Sequence, residues 1–183
     1  MKVLIVVDMQ NDFITGSLGT KEAQAIVEQV VEKINNYKQQ GHQVIYTRDT
    51  HEEVYLNTQE GKNLPVIHCV KDTLGWQLHS KIQNTVTNES QIYDKGTFGS
   101  VELGDKIRCL SQETSDLQIE LVGLCTDICV ISNALLLKAY VPECQMSVDA
   151  KCCAGVTPES HQNALNAMKM CQITILNEVE SRI

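Results

Sequence analysis

The segment Val122-Gly123-Leu124-Cys125-Thr126-Asp127-Ile128-Cys129-Val130 carries an apolar strand through a short turn and sets Cys129 on the first turn of an apolar helix. A helix start offers backbone N–H groups without intrahelical partners and the positive end of the dipole, and both favour a thiolate. Cys129 therefore reads as a nucleophile rather than the small buried hydrophobe that a free cysteine usually is. Cys125 with the Cys152-Cys153 pair has poor spacing for structural zinc, and most of the other thiols need no special role.

Asp8 follows the apolar run Val3 to Val7 and opens Asp8-Met9-Gln10-Asn11-Asp12-Phe13. Alone it would cap a turn; beside a thiol it can accept a proton and return it to a leaving amine. Lys95, in Tyr93-Asp94-Lys95-Gly96-Thr97-Phe98, would stabilise both anions if brought next to Asp8 and Cys129. Asp49-x-His51 followed by His68 supplies one carboxylate and two imidazoles, the ligand set of catalytic iron, zinc or manganese sites with open positions. Glu60 is a further candidate, as a ligand or as a group that holds water there. His42, a possible addition to the set, reads with His79 and His161 as an ordinary polar histidine.

These residues have to be positioned by what precedes them. Apolar runs end near Val7, Tyr46, Tyr93, Val122 and Val148, with a last one from Ile173 to Leu176, and helical segments separate most of them. The alternation predicts an α/β fold, a single domain over residues 1–183 with three αβα layers and a mostly parallel sheet. In such a sheet ligands bind at the carboxyl ends of the strands, where Asp8, Asp49, Lys95 and Cys129 all fall. Ile26, Val27, Val30, Val31, Ile34 and Tyr37 share one helical face that Gly41 closes. The helix after Cys129 is apolar almost all round, which predicts burial between the sheet and neighbouring structure. A final helix from Pro158 should turn Ala164, Leu165, Ala167 and Met168 inward. Thr50 to Gln91, with Gly61, Pro65 and Gly75, reads as an elaborated active-site loop with one short helix.

A formal charge of −8, with the 15 Lys and Arg scattered, argues against a nucleic-acid or anionic-membrane partner and for a small-molecule substrate. Met1 leads straight into an apolar strand with no basic leader or spanning run, so a cytoplasmic protein with eight reduced cysteines is expected.

Val7-Asp8-Met9-Gln10-Asn11-Asp12-Phe13, Thr47-Arg48-Asp49-Thr50-His51, Pro65-Val66-Ile67-His68-Cys69-Val70, Lys95-Gly96-Thr97-Phe98 and Gly123 to Val130 together resemble the isochorismatase-like cysteine hydrolases, and within them the nicotinamidase/pyrazinamidase group. That resemblance spans nearly the whole chain. It implies hydrolysis of nicotinamide, and of pyrazinamide, to the acid and ammonia through a cysteine thioester, a salvage step in NAD metabolism. Asp8 would be the base, Lys95 its cationic partner and Cys129 the nucleophile. The N–H groups of Cys125 and Cys129 would form the oxyanion hole across a non-proline cis peptide at Leu124–Cys125. The resemblance also implies one divalent metal ion, zinc first with manganese or iron next, on Asp49, His51 and His68 with Glu60. Phe13 and Leu124 would line the ring pocket, and a homo-oligomer is expected. One departure stands out: many nicotinamidases carry a tryptophan shortly before the last metal histidine, whereas this chain reads Asn63-Leu64-Pro65-Val66-Ile67, with Trp76 further along.

Other readings compete. An amidase of the same superfamily acting on a carbamoyl or ureido acid would need a carboxylate-binding arginine, for which Arg48 is the candidate. An isochorismate-type vinyl ether hydrolase needs neither cysteine nor metal. A non-catalytic binding module on the same fold tends to lose the Asp8, Lys95 and Cys129 set.

Overall fold

Side chains along the first strand alternate between two cores: Val3, Ile5 and Val7 enter one and Leu4 and Val6 the other, as a strand buried on both faces requires. The computed structural model describes residues 1–178, in which six parallel strands form one sheet. They are β1 (Lys2–Val7), β2 (Gln43–Asp49), β3 (Gln91–Lys95), β4 (Gln118–Leu124), β5 (Gln145–Ala154) and β6 (Thr174–Leu176), in the order β3-β2-β1-β4-β5-β6. The helices are α1 (Asn11–Ile14), α2 (Lys21–Ala25), α3 (Val27–Gln39), α4 (Gln59–Asn63), α5 (Ser80–Gln83), α6 (Val101–Glu113), α7 (Ile131–Tyr140) and α8 (Pro158–Met170). Residues of α6, α7 and α8 fill the core on one face of the sheet, and residues of α3 and α5 fill the other. The expected α/β architecture with helices on both faces is present. Among the described residues no helix is long and apolar enough to cross a membrane.

Strands are added outward in both directions from β1, because β2 and β3 lie to one side of it while β4, β5 and β6 lie to the other. A crevice at the carboxyl ends of β1 and β4 is where such a sheet binds ligands. The backbones approach closely there: Gly123 has φ +116°, and a Cβ on it would sit 2.1 Å from the Val7 carbonyl oxygen. Only glycine fits that contact and that dihedral.

The face from Ile26 to Tyr37 packs into one core as expected, with Ile26 joining α2 to α3. Other expectations need correction. The stretch from Thr50 to Gln91 holds three short helical pieces rather than one, a 3-10 turn at Tyr55–Asn57 followed by α4 and α5. Their brevity leaves too little periodicity to read. Helix α7 buries Asn133, Ala134 and Leu137 but exposes Leu135, because a helix in an outer layer has only one covered side. Ala167 is exposed, lying off the α8 stripe of Ala164, Leu165 and Met168.

Candidate active site and metal centre

Asp8 follows β1 directly in a left-handed conformation (φ 46°) that non-glycine residues seldom adopt. Neighbouring β2 holds it: the Asp8 amide donates to the Thr47 carbonyl at 3.2 Å, and Thr47 Oγ1 donates to Asp8 Oδ1 at 2.6 Å. Lys95 ends β3, two strands away, and its long side chain crosses the sheet edge. Its Nζ lies 2.6 Å from Asp8 Oδ2 and 3.4 Å from Cys129 Sγ. The three side chains are buried, at 0 %, 4 % and 5 % exposure for Asp8, Lys95 and Cys129. Residues separated by most of the chain thus meet at one point.

The turn that presents Cys129 is π-helical, Thr126–Val130, and precedes α7 instead of forming its first regular turn. The Cys125 carbonyl accepts the amides of Ile128 (3.1 Å) and Val130 (3.0 Å), on either side of Cys129. The peptide between Leu124 and Cys125 is cis. The turn is braced from α8 by His161, whose Nδ1 lies 2.8 Å from Thr126 Oγ1.

Burial pushes the Cys129 thiol well up, Asp8 pushes it further and Lys95 opposes both. Burial also raises the Asp8 carboxyl, with Lys95 pulling it down and Asp49 adding to the rise. Lys95 itself is held above its usual value: burial works against its charge, but Asp8, Cys129 and Asp49 outweigh it. Lys95 thus opposes the rise at both Asp8 and Cys129.

Asp49, His51, Glu60 and His68 come together, each offering one ligand atom within 4.8 Å of the others. Two observations fit this group to a metal. His51 Nε2 is buried without a hydrogen-bond partner although Asp49 Oδ2 is 2.8 Å away, the arrangement of two atoms that both face a third. His68 Nδ1 lies 2.8 Å from the Val66 carbonyl, so its proton is held there and Nε2 keeps a lone pair for the cluster. Burial opposes the charge of Asp49, yet the imidazoles of His51 and His68 and then Lys95 hold its carboxyl well below the usual range. Two imidazoles and two carboxylates suit zinc, manganese or iron. His42, by contrast, packs on Tyr37 at the start of β2, the opposite end of the sheet.

A cavity of about 650 Å³ joins the two groups. Phe13, Leu124, Cys125 and Cys129 line it with Asp49, Glu60 and His68, and Phe98, Ile128 and Val156 extend its apolar wall. No lysine or arginine is among its lining residues. Arg48 is committed elsewhere: it pairs with Asp94 through two hydrogen bonds of 2.7 and 2.9 Å and stacks on the Trp76 ring at 3.7 Å. Trp76 in turn donates from Nε1 to Thr50 Oγ1 at 2.8 Å, so it does not replace a stacking ring in the cavity.

Sequence reasoning missed Thr47, Tyr55 and Gln10. Tyr55 packs its ring 4.5 Å from that of His51 and 4.9 Å from that of His68. Gln10 is fully buried and clamps both backbone groups of Asp49, accepting its amide at 2.7 Å and donating to its carbonyl at 2.8 Å. A buried glutamine beside Asp8 is a signal only once β2 is known to lie alongside.

The sequence pattern of the isochorismatase domain matches residues 2–179. Nicotinamidase of Saccharomyces cerevisiae is 29% identical over 175 residues, covering 74% of this chain and 80% of that protein. The crystal structure of Pyrococcus horikoshii pyrazinamidase in complex with zinc superposes with a TM-score of 0.81 at 26% identity, covering 97% of this chain and 99% of that one. A pyrazinamidase/nicotinamidase from Streptococcus mutans superposes with a TM-score of 0.79 at 29% identity, over 96% of this chain and 100% of that one.

Proposed function

The chain belongs to the isochorismatase family, and from that premise we propose that it is a nicotinamidase, hydrolysing nicotinamide, and pyrazinamide with it, to the acid and ammonia. The observation that carries this reading is Lys95 Nζ set between Asp8 and Cys129, where Cys129 lines the same cavity as Asp49, Glu60 and His68 of the metal-type cluster. The cavity also favours an uncharged amide. A carbamoyl or ureido acid would bring a carboxylate into a lining whose charged groups are Asp49 and Glu60, with Arg48 turned to Asp94.

The steps follow from the geometry. Phe13 and Leu124 pack on the ring and keep water from it. As Cys129 Sγ attacks the amide carbon, its proton passes to Asp8 and Lys95 balances the charge left behind. The oxyanion is met by the N–H groups of Cys125 and Cys129; one such donor is typically worth about 2.7–4 kcal/mol. Asp8 then protonates the nitrogen, ammonia leaves, and a thioester remains. Water, deprotonated by Asp8, attacks that thioester and returns the thiol. A divalent ion held by Asp49, His51, Glu60 and His68 would supply a Lewis-acid contact for the ring nitrogen.

Ammonia release from nicotinamide, pyrazinamide and an N-carbamoyl amino acid, with pyruvate release from isochorismate, tests the assignment. Turnover of the first two alone is expected, and preference for the N-carbamoyl acid would overturn it. Two variants examine the proton path. Lys95→Met removes the charge that opposes the rise at Cys129, so alkylation of Cys129 at neutral pH should slow by about tenfold or more; an unchanged rate would assign activation to the helix terminus. Thr47→Val deletes the hydrogen bond to Asp8 Oδ1. A bond to a charged group is worth about 1.5–3 kcal/mol, so kcat for nicotinamide should fall roughly tenfold or more.

A further inference from the structure

Asn133, in the first turn of α7, has no exposed surface and spends its whole carboxamide on backbone. Nδ2 donates to the Cys129 carbonyl at 2.8 Å and to the Phe98 carbonyl at 3.1 Å, while Oδ1 accepts the Ser100 amide at 2.9 Å. Two acceptors and one donor around it leave only one orientation for the group. One partner is the nucleophile itself. The others lie on the loop that leaves Lys95 through Gly96-Thr97-Phe98-Gly99-Ser100, and Ser100 in turn caps α6 by accepting the Leu103 amide at 3.2 Å.

The sheet does not join Lys95 to Cys129 directly. Lys95 ends the edge strand β3 and Cys129 follows β4, with β2 and β1 between them. Any slack in the loop after Lys95 would pass into the position of its ammonium. We propose that Asn133 is a positioning residue of the hydrolysis: it ties the backbones of the Lys95 loop and the Cys129 turn and thereby sets the 3.4 Å separation between Nζ and Sγ. The same link keeps Phe98 at the cavity wall. The role rests on the reading of Cys129 as nucleophile.

Three substitutions separate this role from mere packing. Asn133→Asp keeps the shape and the Ser100 bond but turns oxygen toward two carbonyls. Asn133→Ala loses all three bonds. Asn133→Thr can still donate to the carbonyl four residues back, Cys129, but cannot tie down the Lys95 loop. Leu137→Ala, one turn along the same helix and in the core, serves as a destabilised control. The readouts are kcat and KM for nicotinamide, the rate of Cys129 alkylation by iodoacetamide, and the melting temperature. The aspartate and alanine variants should lose roughly 30- to 100-fold in kcat with KM within about threefold, the scale on which a misplacement of about 1 Å slows a reaction. Their Cys129 alkylation should slow, the threonine variant should fall between, and Leu137→Ala should keep kcat within about twofold. Wild-type kcat and alkylation in the threonine variant, which retains a bond and should fold, would overturn the proposal, as would an equal kcat loss in Leu137→Ala at a matching melting temperature. If nicotinamide is not a substrate of the wild type, alkylation still reports the Lys95–Cys129 geometry, so the two readings fail separately.

Discussion

Alanine at Cys129 is expected to abolish ammonia release from nicotinamide, by about 10⁴-fold or more, while the protein stays folded. The loss is large because no thioester can form and Asp8 has no proton to collect, so what survives is binding and the oxyanion donors. The structural cost is small, since only one buried sulfur atom is removed. Other cysteines provide the contrast. Cys152 and Cys153 are buried in β5 and do not line the cavity, so their alanine variants should stay active. Cys125 lines the cavity, but the mechanism uses its backbone amide, so Cys125→Ala should retain activity within a few fold. Near-normal ammonia release from Cys129→Ala would remove the covalent route, and a total loss in Cys152→Ala would mean that another thiol attacks.

Removing the metal should separate nicotinamide from benzamide, which shares the amide and ring size but lacks the ring nitrogen. If an ion held by Asp49, His51, Glu60 and His68 contacts that nitrogen, chelation should lower kcat/KM for nicotinamide by about 100-fold more than for benzamide. An interaction benzamide never makes cannot be lost by benzamide. Elemental analysis and calorimetric titration with zinc, manganese and iron give a reading apart from activity: one ion per wild-type chain is expected. His51→Ala should bind at least tenfold more weakly, because His51 Nε2 is the buried ligand atom left without a hydrogen bond. Equal losses for both amides would reassign the metal to water activation or structure, and no binding at all would defeat the metal centre.

What could be read from the sequence were the residues that follow strands. Asp8, Asp49, Lys95 and Cys129 each stand at or just beyond an apolar run, and parallel topology then collects strand ends on one edge. Groups whose role depends on a neighbour distant in sequence could not be read this way. Thr47 and Gln10 look like ordinary polar residues until β1 and β2 lie side by side, and Asn133 looks like a break in an apolar helix until the Lys95 loop is laid across it. The helix terminus at Cys129 is visible in one short segment, whereas the burial and the Asp8 carboxylate that push its thiol up come from tertiary packing.

The pairing of β1 with β4 joins Lys2 to Gln118 and Val7 to Gly123, far apart in the chain. Everything the site draws from Asp8 to Lys95 belongs to the stretch that builds β1, β2 and β3, whereas Cys125 and Cys129 belong to the stretch that builds β4, β5 and β6. Neither stretch alone carries both the proposed proton acceptor and the proposed nucleophile. A chain refolding from denaturant can form its helices early through local contacts, but closing the central seam is a long-range event with a larger entropic barrier. Return of amide hydrolysis therefore marks the moment when the two halves of the sheet meet, and the enzyme serves as a clock for its own assembly.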